Sequence, residues 1–480
     1  MEEKQKKAGE LRREALFYQP KNGYDRLSTQ DEADMNAYCG DYKKFLDAGK
    51  TERECVELGV RMAQEAGYRD LNEVMAAGES LKAGDKVYAV CMKKMLALFR
   101  LGEEPVSAGM NILGAHIDSP RIDVKQNPLY ENEGLAYLDT HYYGGIKKYQ
   151  WVAQPLALHG VIVKKDGTTE KVSIGEDEND PVFVITDLLI HLAQEQMEKK
   201  ASKVIEGEKL DLLIANRPLE EAAGDEKEKE TIKANVLRLL KEKYDMAEED
   251  FLSAELEIVP AGRARDCGLD RSMILSYGQD DRVCAFTSLF AMLDVTEAKR
   301  TGCCLLVDKE EIGSVGATGM HSRFFENTVA ELIAMTEGES DLKVRRALMN
   351  SRMLSSDVSA AYDPMFAEAF EKRSSAFFAN GITFNKFTGS RGKSGSNDAN
   401  AEYIAALRNA LDDAGVAYQF AELGRVDLGG GGTIAYIMAN YGMEVIDSGV
   451  AVLNMHAPYE VTSKADVYEA VKGYRAFLNM

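Results

Sequence analysis

The sequence contains no uninterrupted apolar run of about 18 residues, and its first residues, MEEKQKKAGELRREALFYQ, are polar and charged. These absences predict neither a membrane-spanning helix nor a secretory signal peptide, so we expect the protein in the cytoplasm. Basic residues are also few: 58 Lys and Arg against 79 Asp and Glu give a formal net charge of −21. Such a field repels phosphate backbones and anionic membranes, so we expect neither nucleic acid nor a membrane as a partner.

Cysteine and histidine are scarce as well. The seven cysteines are odd in number, scattered along the chain and without a CxxC pair, which argues against both a disulfide framework and a structural zinc knuckle. We expect reduced cysteines that are mostly buried. Only six histidines occur, and we interpret His141, His159 and His321 as structural.

The length of 480 residues exceeds the size at which one hydrophobic core usually stops growing, so we expect two domains or one domain with a large insertion. The first hundred residues read as helices, and residues 120–272 contain short β-rich runs with hairpin signals. From residue 273 onward strands alternate with helices, which indicates a largely parallel sheet covered on both faces. The predicted fold class is α/β: a three-layer α/β/α domain, residues 1–119 and 273–480, with an inserted β-rich domain, residues 120–272.

Two further expectations concern particular segments. The mixed-charge run Glu220–Glu230 (EEAAGDEKEKE) is more typical of a solvated loop than of a binding element. A last strand is predicted over Val450–Met455, directly before a closing helix.

Five polar clusters each follow or interrupt an apolar run. They are His116-Ile117-Asp118, Asp280-Asp281, Glu310-Glu311, Asp357 and His456. In an open α/β sheet, polar groups at strand ends converge at the carboxyl edge, where ligands bind. Two imidazoles with several carboxylates form a suitable ligand set for two divalent ions of the zinc type.

Taken singly, each cluster also has an ordinary explanation. His-x-Asp occurs by chance, a strand-end Asp often caps the next helix, and adjacent glutamates are usually solvated. The pair Glu310-Glu311, however, lies between a buried run, CCLLVD, and a Gly-rich stretch, IGSVGATG. Two adjacent charges are costly in such a place unless something compensates them, as a metal pair would.

The chain resembles the M18 metallo-aminopeptidases, the family of aspartyl aminopeptidase and aminopeptidase I, over nearly its whole length. The motifs that carry the resemblance are AHIDSPRIDVK, GQDDR, DKEEIGS, SSDVSAA and NMHAPYE, in that order. The resemblance implies a dinuclear zinc aminopeptidase whose inserted domain mediates dimerisation. It also implies terminal zinc ligands at His116, Glu311, Asp357 and His456, a bridging carboxylate at Asp280, a residue that orients His116 at Asp118, and a general base at Glu310.

Physical considerations agree with these roles. A carboxylate that bridges two metal ions lets them share one water, whose pKa falls towards neutrality. A bend after Asp118 lets its carboxylate accept the second ring N–H of His116, which fixes the tautomer. Adjacent residues of an extended segment point in opposite directions, so Glu311 can bind metal while Glu310 faces the water. Cobalt or manganese can take the place of zinc in such a ligand set.

By resemblance, His191 matches a histidine of the inserted domain that reaches the active site of a neighbouring subunit and stabilises the oxyanion of the tetrahedral intermediate. A donor aimed at that developing charge matters most in the transition state. The alternative is a histidine on an amphipathic helix. The resemblance also implies a large homo-oligomer, commonly a tetrahedral dodecamer whose active sites face an inner chamber.

Two glycine-rich runs need separate interpretations. FTGSRGKS at Phe387–Ser394 nearly spells a phosphate-binding loop, but Phe387 occupies the position that must be Gly, so we reject a nucleotide site. DLGGGGT at Asp427–Thr433 contains no lysine. It resembles the family's Gly-rich stretch, and we expect Gly430 and Gly431 to line the site where substrate approaches the backbone closely.

Departures from the family motifs leave the preferred N-terminal residue open. The stretch NKFTGSRGKSGSNDANAEY, the motif MHAPYE and the run YYGGIKKYQW all differ from the usual elements. Lys386, Arg391 and Lys393 are candidates for the positive charge that a pocket for Asp or Glu needs. The alternatives are an aminopeptidase that prefers neutral residues such as Leu or Met, and a non-catalytic assembly protein that retains the fold.

Overall fold

The computed structural model describes residues 8–18, 21–220 and 229–480. Within these ranges the seven cysteines are all free and five of them are buried. None of the helices in the described ranges has both the length and the apolar character that crossing a membrane requires. Most of the mixed-charge run Glu220–Glu230 lies outside the described residues.

The α-helices of the described chain are α1 (Ala8–Leu16), α2 (Thr29–Ala48), α3 (Glu52–Glu65), α4 (Leu71–Ala76), α5 (Gln194–Met197), α6 (Ala201–Val204), α7 (Thr231–Tyr244), α8 (Gln279–Asp294), α9 (Phe324–Glu337), α10 (Asp341–Met349), α11 (Ala401–Asp413), α12 (Ala435–Ala439) and α13 (Lys464–Leu478). Helices α2 and α3 begin with capping boxes at Ser28 and Thr51, whose side chains accept backbone N–H groups of the first turn.

The strands belong to three sheets. The first has the order β1 (Arg69–Asp70), β2 (Lys86–Cys91), β3 (Met95–Arg100), β13 (Thr301–Val307), β4 (Met110–His116), β14 (Arg352–Ser356), β18 (Glu444–Gly449), β16 (Ile382–Asn385) and β17 (Tyr418–Phe420). The second has the order β8 (Thr169–Ile174), β7 (Leu156–Val163), β10 (Ala254–Pro260), β5 (Arg121–Asn132), β6 (Leu135–Tyr143) and β9 (Leu212–Ala215). The third has the order β11 (Arg265–Cys267), β12 (Met273–Ser276), β20 (Glu460–Ser463), β19 (Ala451–Leu453) and β15 (Ser359–Ala360).

The centre of the first sheet is parallel and buried on both faces. Strands β13, β4, β14 and β18 run parallel to one another, and β13 and β4 are buried along their whole length. Their near-continuous apolar sequences suit strands that are covered on both faces. One hydrophobic core joins the sheet to α2, α3, α8, α11 and α13, and a second joins its other face to α4, α9, α10 and α12. The chain therefore has the predicted α/β fold with helices on both faces of a sheet.

The second sheet is entirely antiparallel. Its strands come from residues 121–260, and it packs against α7 around a third core with Trp151 at its centre. A turn at Asp166-Gly167 joins β7 to β8 in a hairpin, in agreement with the hairpin signals of the sequence. This sheet lies inside the predicted insertion, residues 120–272; the exact domain boundaries stay a prediction.

Two details of the sequence interpretation were wrong, and one was incomplete. The first hundred residues are not all helical, because β2 and β3 form a hairpin at the side of the first sheet. The sheet is largely parallel, with five parallel strand pairs, but β2–β3, β3–β13 and β16–β18 pair antiparallel. Finally, β20 stands between the predicted last strand and α13, because the chain after β19 turns back and pairs with β19 in the third sheet.

The parallel strands bring distant residues to one edge. β4 ends at His116, β14 ends one residue before Asp357, and β13 ends three residues before Glu310. Because these strands are neighbours that run in the same direction, their carboxyl ends meet at the same edge.

A buried histidine connects the second sheet to helix α3. His159 lies on β7 of the second sheet, and its Nδ1 lies 2.9 Å from Oε1 of Glu54 on α3. Its Nε2 lies 3.1 Å from Oε1 of Glu176, and Nζ of Lys50 lies 2.6 Å from the same oxygen. Burial opposes the charged imidazole, but hydrogen bonding to Glu176 and Glu54 outweighs it and raises the pKa of His159 above 6.5.

We expect this contact to make stability depend on pH. Because the folded pKa of His159 is raised, its contribution is fully present below the unfolded value of 6.5 and is lost as the pH rises through the folded pKa. Replacement His159→Gln should lower the melting temperature by about 5 °C or more at low pH, and by less at higher pH. Melting temperatures of both proteins between pH about 6 and about 9 test this.

The control is His141→Gln, since His141 is exposed on β6 and its Nδ1 contacts the carbonyl oxygen of the adjacent Tyr142. A difference between wild type and His159→Gln that is independent of pH would show that the protonated imidazole contributes nothing.

Candidate active site

The predicted metal-binding residues converge on one cleft. His116 is the last residue of β4, and Glu310 and Glu311 lie in a 3₁₀ turn, Glu310–Ile312, after β13. Asp280 lies in the first turn of α8, where its φ and ψ are not helical. The remaining two come from loops: Asp357 follows β14, and His456 lies between β19 and β20. The fold thus assembles the five distant clusters of the sequence.

The carboxylate of Asp280 lies between the two imidazoles. Its Oδ1 is 3.3 Å from Nε2 of His116, and its Oδ2 is 3.3 Å from Nε2 of His456. Each ring faces a different oxygen of the same carboxylate. This is the arrangement that a carboxylate bridging two cations requires.

Each imidazole has a further carboxylate beside it. Nε2 of His116 is 3.8 Å from Oδ1 of Asp357, and Nε2 of His456 is 3.6 Å from Oε2 of Glu311. Ligand atoms of His116, Asp280 and Glu311 also form one compact group of the kind that holds a metal ion. By these imidazole–carboxylate distances the site has two halves that share Asp280, and the compact group spans both.

The Nδ1 atoms of both rings contact backbone carbonyls. Nδ1 of His116 lies 3.0 Å from the carbonyl oxygen of Asp118, and Nδ1 of His456 lies 2.8 Å from that of Gly145. When Nδ1 donates to a carbonyl, the lone pair of Nε2 faces the carboxylates. Such hydrogen bonds fix the tautomer of metal-binding histidines.

Asp118 organises both the histidine and the glutamate turn. Its side chain is fully buried, and its carboxylate accepts the backbone N–H groups of Glu310 and Glu311, both at 3.1 Å. The Tyr143 hydroxyl donates to it at 2.9 Å, and Nδ1 of His116 is 3.3 Å from its Oδ1. The geometry agrees with the predicted orienting role and adds a second one, the placement of Glu310 and Glu311.

The electrostatics of the site favour cations. Burial, followed by repulsion from Asp357, raises the pKa of Glu310 to about 8. Hydrogen bonding to Asp280 and the charge of Glu311 overcome burial and raise the pKa of His456 to about 10. Oε1 of Glu311 is buried without a hydrogen-bond partner in the described chain. Carboxylates forced together in this way, with imidazole nitrogens between them, fit divalent zinc, which takes both types of ligand.

The residues open into a cleft of about 740 Å³. Gly430 and Gly431 line it, as predicted. Gly430 has a φ of +118°, and a Cβ atom there would lie 2.1 Å from the carbonyl oxygen of Gly389. Only glycine fits this position, so the backbone of the glycine-rich stretch can form the cleft wall.

The three predicted substrate-binding cations lie outside that lining. Arg391 and Lys393 line an adjoining recess of about 240 Å³, and Lys386 is exposed and lines neither cavity. Nζ of Lys393 is 3.1 Å from Oδ2 of Asp398. The structure thus brings the metal-binding set together and keeps these cations apart from it.

His191 does not reach the cleft of its own chain. It is exposed in a 3₁₀ turn, Ile190–Leu192, rather than on the amphipathic helix that was the alternative. The flanking Leu189, Ile190 and Leu192 are 53%, 69% and 68% exposed. Its predicted role across a subunit boundary stays a prediction.

Sequence reasoning assigned no role to four residues at the cleft. Glu460, the last residue of MHAPYE, accepts the backbone N–H groups of Asp280 at 3.0 Å and of His456 at 2.8 Å. Asp281 is buried beside His116 and belongs to a second potential metal-binding group with Asp357. The other two, Asp447 and Lys147, line the cleft. Asp281, Glu460 and Lys147 stand in motifs or runs that the sequence already singled out, whereas Asp447 stands in none, and only the fold brings all four to the cleft.

Comparison with known proteins agrees with the family resemblance of the sequence motifs. The profile of the family "Aminopeptidase I zinc metalloprotease (M18)" matches residues 45–478. A probable M18 family aminopeptidase 1 from Clostridium acetobutylicum is 60% identical over 97% of this chain and 99% of its own length.

Solved structures agree with that similarity. The crystal structure of aminopeptidase I from C. acetobutylicum superposes with a TM-score of 0.90 at 59% identity, covering 97% of this chain and 100% of that chain. An M18 aminopeptidase from Thermotoga maritima gives a TM-score of 0.91 at 41% identity, covering 96% and 99%.

The contacts of Asp118 lead to a prediction about metal affinity. Asp118→Asn should weaken zinc binding about 10- to 100-fold. The amide of Asn carries no negative charge, and only one of its two polar atoms can accept a hydrogen bond, whereas both oxygens of the carboxylate accept one. Chelator-competition titration measures the affinity directly. Tyr143→Phe, which removes one neutral donor to the same carboxylate, should change it much less. Equal zinc affinity in wild type and Asp118→Asn would contradict the orienting role.

Proposed function

Since the chain belongs to the M18 family of zinc metallo-aminopeptidases, we propose that it removes the N-terminal residue of peptides at a centre of two zinc ions. The proposed ligands are His116, Asp280, Glu311, Asp357 and His456, with Asp280 as the bridge. The observation that carries this proposal is the position of the Asp280 carboxylate, which has one oxygen 3.3 Å from Nε2 of each histidine.

The chemistry requires an acid–base group beside the ligands, and we assign it to Glu310. When bound, two zinc ions polarise the scissile carbonyl and lower the pKa of the attacking water. Glu310 lines the cleft, and the hydrogen bond from its backbone N–H to Asp118 holds it there. Its carboxylate takes the proton of the attacking water and returns it to the leaving amine. Asp118 and Glu460 keep the ligands in place during this transfer.

For the N-terminal residue, two candidates follow from different observations. The family resemblance implies Asp or Glu, but Lys386, Arg391 and Lys393 lie outside the cleft lining. Apolar groups of Val358, Leu423 and Met455 line the cleft, which favours a neutral residue such as Leu or Met as the second candidate. Values of kcat/KM for Asp and Leu anilides decide between them. The family membership and the intact set of site residues argue against the non-catalytic assembly protein.

We also propose a homo-oligomer, a tetrahedral dodecamer, in which His191 acts across a subunit boundary. A solved S. cerevisiae mApe1 dodecamer shares the fold with a TM-score of 0.71 at 21% identity, covering 93% of this chain and 97% of that chain. At that identity the similarity supports only a shared fold. The proposed assembly is therefore based on the family resemblance. The exposed leucine and isoleucine side chains around His191 are consistent with a contact surface.

The first test separates catalysis from metal binding. Glu310→Gln should retain two zinc ions per chain while kcat falls about 10²–10⁴-fold, because the group removed is a proton acceptor and not a ligand. Glu311→Ala should instead lose metal. Zinc content by elemental analysis, together with kcat on a panel of aminoacyl anilides, measures both effects.

Two results of the zinc analysis would contradict this proposal. One zinc missing from Glu310→Gln would reverse the roles of the two glutamates. A single zinc per chain in the fully loaded, active wild type would contradict the dinuclear centre.

The second test concerns His191. We expect His191→Ala to lower kcat about 10²–10³-fold with unchanged zinc content, as the loss of one oxyanion donor does. Mixing Glu310→Gln with His191→Ala subunits should restore part of the activity, since some sites then combine an intact Glu310 with an intact His191 from another chain. No recovery in assemblies with demonstrated subunit exchange would count against a shared active site.

A further inference from the structure

We infer that Lys147 is the residue that binds a carboxylate of the substrate, an inference that rests on the proposed aminopeptidase function and deepens it. In the described chain, Lys147 is the one Lys or Arg that lines the cleft. The other charged side chains of the lining include Asp280, Glu310, Glu311, Asp357 and Asp447. An anionic group that enters this cleft therefore meets one ammonium or guanidinium group, which is that of Lys147.

The loop that carries Lys147 is held against the site. The carbonyl oxygen of Gly145 accepts from Nδ1 of His456 at 2.8 Å. A Cβ atom at Gly144 would lie 3.3 Å from Cβ of Glu311, and one at Gly145 would lie 3.4 Å from Nδ1 of His456. Lys147 therefore lies two residues after Gly145, whose backbone contacts the proposed ligand His456.

The other side of the loop is anchored in the insertion. Trp151 is fully buried in the third core, with its ring edge against Tyr277. A short 3₁₀ turn, Lys148–Gln150, connects Lys147 to this anchor. Both ends of the segment are fixed, so the backbone of Lys147 has a defined place relative to the proposed metal centre.

The side chain of Lys147 is available for an external anion. No carboxylate of the described residues lies within ion-pair distance of its Nζ, in contrast to Lys393, which pairs with Asp398. A carboxylate removed from water loses hydration free energy, and one charge-assisted hydrogen bond from an ammonium group offsets part of that loss.

The neighbouring lysine provides a matched control. Nζ of Lys148 lies 3.3 Å from the carbonyl oxygen of Ser202 and over the ring of Tyr142. It lines a different depression on the inserted part of the chain. Lys147 and Lys148 are therefore adjacent residues of the same type and charge, of which one lines the cleft and the other lines a different depression.

The carboxylate can come from two sources near the scissile bond: the side chain of an N-terminal Asp or Glu, or the C-terminus of a dipeptide. The first arm of the experiment compares Asp anilide with Leu anilide, which have no C-terminal carboxylate. The second arm compares Leu-Gly with its C-terminal amide. For each arm, the kcat/KM ratio of the anionic to the neutral substrate is measured in zinc-loaded wild type, Lys147→Ala and Lys148→Ala.

In one of the two arms we expect the ratio to fall about 10- to 100-fold in Lys147→Ala, as the loss of a charged hydrogen-bond partner does. Lys148→Ala should keep the wild-type ratio in both arms, and Lys147→Arg should restore most of it. The arm that responds identifies the source of the carboxylate. Ratios in Lys147→Ala within about twofold of wild type in both arms would overturn the inference, and so would a fall in Lys148→Ala equal to that in Lys147→Ala.

Calorimetric binding keeps recognition separate from turnover. The same four compounds are titrated into Glu310→Gln and into Glu310→Gln combined with Lys147→Gln, a change that retains a polar side chain. Weaker binding of the anionic member of one pair alone supports the inference. Equal binding by both proteins overturns it. Absence of hydrolysis of all four substrates by wild type, with normal binding, would instead refute the proposed function.

Discussion

The site depends on the carboxylate of Asp280, which lies between the rings of His116 and His456. Placing it there also brings Glu311 and Asp357 into the same buried region, where carboxylates repel one another and lack water. Cations that bind the folded chain and not the unfolded chain offset this cost. Folding of this edge of the sheet and binding of zinc are therefore linked, and protons compete with metal for the same imidazole nitrogens.

The remainder of the structure holds that arrangement in place. Parallel strands β4, β13 and β14 deliver their ends to one edge, and buried acceptors then fix the loops that follow them. Asp118 accepts from the glutamate turn, while Glu460 accepts from the backbone of both Asp280 and His456. Each of these carboxylates joins segments that are far apart in sequence, so the ligand positions are set by side-chain to backbone hydrogen bonds as well as by the sheet.

The inserted sheet takes part in the site rather than standing beside it. The segment between β6 and β7 places Gly145 against His456 and brings Lys147 to the cleft. His159, farther along on β7, is bound by glutamates from both parts of the chain. The cleft thus combines the strand ends of one sheet with a loop from the other, and the proposed role of Lys147 implies that a mutation in the insertion changes substrate choice without touching a proposed metal ligand.

The sequence by itself determined the α/β class, predicted the β-rich insertion and singled out the polar clusters that the fold brings together at the cleft. Runs such as NILGAH and CCLLVD, followed at once by charged groups, are informative because a buried strand tolerates charges only where something compensates them. The family motifs lie at these same positions. The local sequence was sufficient to find these clusters, because each one combines an apolar run with charged groups directly after it.

Tertiary structure alone decided which polar residues face one another. Lys147 and Lys148 are indistinguishable in sequence, yet the fold places Lys147 in the lining of the cleft and Lys148 in that of a different depression. Lys386, Arg391 and Lys393 were suggested by charge, but the fold places them outside the cleft lining. The sequence also did not reveal the hairpin of β2 and β3 or the pairing of β20. Pairing between strands and the direction of an exposed side chain depend on distant contacts, which no local pattern encodes.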